Sequence, residues 1–371
     1  MKKKYIILSI ITLVLLITFV TSFNYFKTSN NYVEDSVNNQ TKITKGISMN
    51  LEQTAGAGDY KQVTQSSWPT EGYKFNTELS RCENGSGLSW DDTKKAVIMQ
   101  GNVSDKCYVY FDKLLKLVDY IKAKYTGTQG DNALYYHNST LTNGAGDNSY
   151  RYAGASESVN NYICLGSDEA TCPDANLFRI IGVFGDQTKV IRAKLVVYKE
   201  WHTSESNTWS SSSLNTYLNG TYLTSLGTLT DKIATTTWKV GGGSTTYLSD
   251  VPKIAYQYEV GSNASTTTVD KKIGLMYVSD YGFAADQSGW TTKLSSYNSN
   301  TSKNWLYLGS TEWTLSRISD YSYSAFDMTN TGIVNGARVT SGRAVRPSFN
   351  LESSVKYVSG SGSMSDPVRI N

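Results

Sequence analysis

The chain has 371 residues and a formal charge of +3, from 35 Lys and Arg against 32 Asp and Glu. That excess of three equals Lys2, Lys3 and Lys4, so the remainder is neutral and lacks the basic block that a nucleic-acid binder uses to neutralise phosphates. Four cysteines and two histidines, His137 and His202, with no Cys-x-x-Cys, argue against zinc and read instead as disulfides in an oxidising compartment.

Behind the three lysines, residues 5–26 carry no charge. A helix needs about 20 apolar residues to cross a bilayer, and the basic end stays in the cytoplasm. Residues 1–26 are therefore predicted to be a transmembrane anchor or, if cleaved after Ser22, a signal segment. The protein is expected at the cell membrane as a single-pass protein with an extracellular C-terminal part, or secreted. Residues 27–46, rich in Asn, Thr and Lys, read as a stalk.

From residue 47 to 112 short alternating runs are broken by turns such as Asn84-Gly85, which predicts a small antiparallel β module. Three cysteine pairings are open. Cys82 with Cys107 and Cys164 with Cys172 keep each couple within one module. Leu114, Leu117, Val118, Ile121 and Tyr125 then recur at helical spacing, which predicts a linker helix over 113–127. Residues 128–371 read as one α+β domain, so the fold class is mainly β with an α+β C-terminal domain. Within it, residues 178–184 and 189–198 form a hairpin around Gly185-Asp186. A serine run caps a helix carrying Leu214 and Leu218, and residues 272–278 form a buried strand.

Phe178-Arg-Ile-Ile-Gly-Val-Phe184, Leu214-Asn-Thr-Tyr-Leu-Asn-Gly220, the run from Ile273 to Phe283, Trp313-Thr-Leu-Ser316 and Ala344-Val-Arg-Pro-Ser-Phe-Asn-Leu351 stand in an order that resembles a family of uncharacterised extracellular domains of Gram-positive gut bacteria. The resemblance covers about residues 128–371. That family is in turn similar to the C-type-lectin-like fold shared with formylglycine-generating enzymes. It implies an exported, ligand-binding module without established activity. The cysteine chemistry of those enzymes does not carry over, because no cysteine follows Cys172.

Residues 173–371 lack a Gly-x-Ser-x-Gly elbow, a His-Glu-x-x-His pair and a P-loop. Acids at Asp280, Asp286, Glu312, Asp320 and Asp327 leave a carboxylate pair for glycoside hydrolysis open. Glu312, beside Trp313, is the first to inspect, against its ordinary reading as a solvated carboxylate. Gly130-Asp-Asn-Ala133 and Gly146-Asp-Asn-Ser149 read as Asx turns rather than calcium loops. No metal and no cofactor is expected.

Arg346 is expected to pair with a buried acid such as Asp327. The densest signal is aromatic. Trp290, Trp305, Trp313, Tyr321 and Tyr323, with Arg317, suggest rings that stack on sugars or anchor a protein partner. Trp305 and Trp313 are read first as core, and Tyr321 and Tyr323 as surface. The function expected is a membrane-anchored binding module for a glycan or a surface protein, with no nucleic acid as partner. A surface carbohydrate hydrolase and a structural envelope or filament component are the alternatives.

Overall fold

The computed structural model describes residues 46–371, apart from 65–67, 70, 102 and 103. The predicted membrane segment, 1–26, lies outside these residues, as does all but the last residue of the predicted stalk. Among the described residues no helix is long and apolar enough to cross a membrane. The chain divides into two compact units, Met1–Leu115 and Lys116–Asn371.

In the first unit, β1 (Ile47–Glu52) buries Met49 and Leu51, and β7 (Cys107–Lys113) buries Cys107, Val109 and Phe111. This is the period-two pattern of a half-buried strand. β7 is central: β3 (Tyr73–Phe75) and β4 (Arg81–Cys82) pair with it antiparallel, and β2 (Tyr60–Val63) extends the sheet from β1. β5 (Gly87–Asp91) and β6 (Ala96–Gln100) form a separate hairpin. The expectation of a purely antiparallel module is corrected, because β1 and β7 run parallel, with Ile47 beside Cys107 and Leu51 beside Phe111. Side-chain alternation fixes which face a residue takes but carries no information about strand direction. Cys82 and Cys107 are cross-strand neighbours and form a disulfide.

The helix predicted over 113–127 is confined to Leu117–Ala123. Lys113 still belongs to β7 and the Leu114 amide donates to the Gly72 carbonyl, so extended pairing claims the first residues of the pattern. Leu117, Val118 and Ile121 join the core of the second unit.

That second unit is built on two sheets. The larger runs β16 (Ile273–Gly274), β21 (Ser348–Leu351), β12 (Gln187–Arg192), β11 (Leu177–Phe184), β9 (Tyr150–Tyr152) and β8 (Leu134–Tyr136), with β10 (Tyr162–Cys164) also on β11. Seven of the eight residues of β11 are buried, which explains its unbroken apolar run: both faces are covered. Gly182 is needed there, since a Cβ would meet the Tyr150 carbonyl oxygen. The second sheet runs β13 (Val197–Glu200), β20 (Gly342–Val345), β17 (Glu312–Arg317), β18 (Ser324–Met328) and β19 (Val334–Arg338). β14 (Thr236–Lys239) and β15 (Thr268–Lys271) form a small ribbon.

The chain passes from one sheet to the other within a few residues at two places, between Arg192 and Val197 and at Arg346-Pro347. The hairpin expected to reach residue 198 therefore ends at Arg192. The strand expected over 272–278 stops at Gly274, because Asp280 accepts the Tyr277 amide and starts a helix, Val278–Phe283. Ser212 caps the helix Ser213–Tyr217 through the Asn215 amide. Cys164 and Cys172 form the second disulfide. Two disulfides mark a domain made for an extracellular, oxidising environment.

Candidate functional site

β17 and β18 are joined by residues 318–323, and this loop meets two others, 201–208 after β13 and 339–341 between β19 and β20. Asn207 holds them together. It is buried, and its side-chain amide donates to the carbonyls of Ile318 (2.7 Å), Tyr321 (2.8 Å) and Ser324 (2.7 Å). Its backbone amide donates to the Ser322 carbonyl at 2.6 Å. Val339 N–H donates to the Tyr323 carbonyl, and His202 N–H to the Val339 carbonyl, both at 3.0 Å. Ser319 donates to the Gly243 carbonyl, and Asp320 accepts from the Thr245 amide. The carbonyls of Ile318, Tyr321, Ser322 and Tyr323 and the amides of Ile318 and Ser319 are thus engaged, which fixes the loop while residues 319–323 keep exposed side chains.

Tyr321 is 49% exposed and Tyr323 37%, their ring centroids 6.0 Å apart at 47°. The Arg338 guanidinium lies 5.0 Å from the centre of the Tyr323 ring and pairs with Glu205 at 2.5 Å. Two tilted aromatic faces, a cation and a carboxylate stand at one edge, and the same three loops carry Ser204, Ser319, Ser322 and Ser341. Arg317 serves from below, donating to the Gly241 carbonyl at 2.8 Å, and its Nη1 lies 3.5 Å from the Asn207 side-chain oxygen.

The three tryptophans named from the sequence lie elsewhere. Trp290, Trp305 and Trp313 are buried, and their indole N–H groups donate to the carbonyls of Ala285 (2.9 Å), Tyr152 (2.8 Å) and Lys199 (3.0 Å). An indole so satisfied is core. Local sequence offers no signal for Asn207, Glu205 or Arg338: the first two reach the tyrosines through the loop after β13, and Arg338 through the pairing of β19 with β18, where it stands opposite Ser324.

The candidate acids are similarly engaged. Glu312, read as solvated, is instead fully buried, where Arg346 Nε donates to it at 2.8 Å in the corner between the two sheets. Burial pushes the Glu312 carboxyl above its ordinary value, opposed by that guanidinium. Asp327 takes Arg343 rather than Arg346, at 2.8 Å. Asp286 caps a helical turn through the Ser288 amide. In the sequence 130–133, Asp131 accepts from Thr126 and Asn132 donates to the Lys124 carbonyl. Asp147 accepts from Ser149 and pairs with Arg151. Among the described residues no three His, Cys, Asp or Glu side chains are grouped to hold a metal.

His202 does not complete a triad. Its Nδ1 accepts from the Ser213 amide at 3.4 Å, and its Nε2 lies 3.1 Å from Ser204 Oγ. With Nδ1 facing a backbone amide, no acid orients the ring as a triad requires. Two open clefts, of about 620 and 660 Å³, lie beside the Cys164–Cys172 loop and beside Tyr135 and Lys303; neither includes the named tryptophans or tyrosines.

Residues 186–353 match a family model described as a domain of unknown function (DUF6273). The match begins at the turn before β12, ends after β21, and contains all three loops of the tyrosine cluster. No curated protein and no solved structure matches.

Proposed function

We propose that the chain is an extracellular glycan-binding module, held at a cell surface by its apolar N-terminal segment, with Tyr321 and Tyr323 as the sugar-stacking faces. The observation that carries this reading is the clamped loop: two half-exposed rings are presented on a backbone that Asn207 fixes through four hydrogen bonds. Rings held in place before binding lose little entropy on contact. Arg338 and Glu205 supply directed donors and acceptors beside them.

Size favours a sugar over a protein partner. A stable protein interface buries about 800 Å² on each side around an apolar centre, whereas this cluster offers two rings beside one exposed ion pair. A saccharide of a few residues needs no more. The two disulfides support the extracellular placement, and residues 2–26 supply the charge bias and apolar length for an anchor. The C-type-lectin-like likeness remains a proposal of fold and carries none of this argument.

A glycan array probed with the detergent-solubilised protein tests it. Binding to one glycan class should weaken by about ten-fold or more when Tyr321 and Tyr323 are both changed to Ala. Retention of full affinity in that variant would move the site elsewhere, and binding to proteins but to no glycan would replace the ligand class.

A further inference from the structure

Between the large sheet and the helix Val278–Phe283 lies a charge pair that the tyrosine site does not use. Lys189 on β12 and Asp280 at the helix start are both buried, with Lys189 Nζ 2.5 Å from Asp280 Oδ2. The ammonium is enclosed by aromatic rings, whose centres lie 4.5 Å (Tyr277), 5.4 Å (Trp238) and 5.7 Å (Phe184) from Nζ. Donors converge on the carboxyl from other sides. Tyr277 N–H reaches Oδ2 at 2.8 Å, and Arg151 Nη1 stands 3.7 Å from Oδ1 while pairing with Asp147 at 2.6 Å. A second buried acid, Glu259, accepts the Val278 and Ser279 amides at the same helix start.

We infer that Lys189 and Asp280 condense to an intramolecular amide, cross-linking the central sheet to this helix. Nζ adds to the side-chain carbonyl carbon of Asp280, a C–N bond forms, and one C–O bond of the carboxyl breaks. The ammonium gives up two protons and the carboxylate one oxygen, and these leave together as one water. No oxidant, reductant or cofactor is needed.

The surroundings favour each part of that step. Burial pulls the lysine below its ordinary value, against the pull of Asp280, which eases formation of the free amine. The same burial pushes the Glu259 carboxyl above its ordinary value, against the hydrogen bonds it accepts from Ser316 and the Val278 and Ser279 amides. Arg151 and the Tyr277 N–H face the oxygens on which negative charge gathers in the tetrahedral adduct. Two buried charges are costly to hold in a dry interior, and a neutral amide removes both. Water is excluded by the rings, so reversal is disfavoured. The two partners lie 91 residues apart in the chain, so the bond would close a large loop and restrict the unfolded ensemble as a disulfide does.

Peptide mapping decides the matter on the wild-type protein, whatever has happened to its N-terminus. The purified full-length chain, reduced and denatured, is digested with trypsin and read by tandem mass spectrometry. An amide on Lys189 blocks cleavage there, so residues 180–192 and 273–293 should appear as one branched species, lighter than their sum by one water. Its dominance establishes the bond. Dominance of the separate peptides 180–189 and 273–293 would overturn it, leaving Lys189 and Asp280 as a buried ion pair.

Discussion

Trp313 and Tyr321 stand eight positions apart and end in opposite environments. Trp313 is on β17 and pairs in register with Asp327 of β18; it packs inward, 1% exposed, with its indole N–H closed by the Lys199 carbonyl. Tyr321 follows the end of the strand, where the chain turns through residues 318–323 and presents the ring to solvent. The same aromatic density therefore serves packing while the strand lasts and becomes surface once it stops. What separates the two is the buried Asn207, which converts a loop of small polar residues into a fixed platform.

The largest expected effect tests the strand side of that contrast. Trp313→Ala deletes a fully enclosed indole and leaves the Lys199 carbonyl without its donor, which should cost about 3 to 5 kcal/mol in denaturant unfolding. A loss below about 1 kcal/mol would mean that Trp313 is not core.

Mild acid should weaken the packed interior through one buried imidazole. His137 is buried against Phe283 and Trp290, and its Nδ1 accepts from the Ala145 amide. Desolvation, with the nearby Arg151 charge, holds its imidazole well below the ordinary value of 6.5. As pH falls the unfolded chain therefore binds the proton first. Stability from this group is complete above about pH 6.5 and declines below it, by up to about 1.4 kcal/mol per pH unit. Unfolding curves from pH 7.5 to 5 should show that slope, and His137→Asn, which keeps an acceptor for Ala145, should flatten it. An unchanged slope in the variant would assign the acid sensitivity to another group.

Asn207→Ala addresses the junction between the two regions. It removes three side-chain hydrogen bonds and leaves the Ile318 carbonyl without a donor, while Tyr321 and Ser324 keep backbone donors, and it should cost about 1 to 3 kcal/mol. The more telling readout is ligand affinity, which should drop although no contacting ring is removed, because the rings would no longer be held before binding. Destabilisation with affinity unchanged would reduce Asn207 to a fold residue alone.

Much of this was legible locally. The strand pair around Gly185-Asp186, the Ser212 cap and the two disulfide couples follow from spacing and turn chemistry. Pairings made across the fold were not. Glu312 looked solvated because its partner, Arg346, lies 34 positions away and meets it only where the chain changes sheets. Arg343, three residues before Arg346, takes the Asp327 that the sequence offered to the latter. Asn207 sits in a run of small polar residues whose pattern is that of any loop, and its three acceptors lie more than a hundred positions away. The parallel register of β1 and β7 was hidden for a related reason: alternation is the same in either direction.

The smallest expected change in stability belongs to the Tyr321→Ala/Tyr323→Ala pair, and it sharpens the contrast most. Both rings are exposed, and their contacts are with each other and, through Tyr323, with Arg338, so truncation opens no cavity. The carbonyls that Asn207 and Val339 engage are backbone groups and survive the substitution. Stability should therefore shift by no more than about 0.5 kcal/mol, apart from the Arg338 contact, worth about 0.5 to 1 kcal/mol at an exposed site. Tyr323→Ala alone should carry that Arg338 term, and Tyr321→Ala should be silent in thermal unfolding. Against a glycan, each ring should contribute, and the double variant should lose about ten-fold in affinity, or about 1.4 kcal/mol. A fold-neutral variant with that loss separates recognition from packing, whereas a double variant that melts far below the wild type would place these tyrosines with Trp313 in the core.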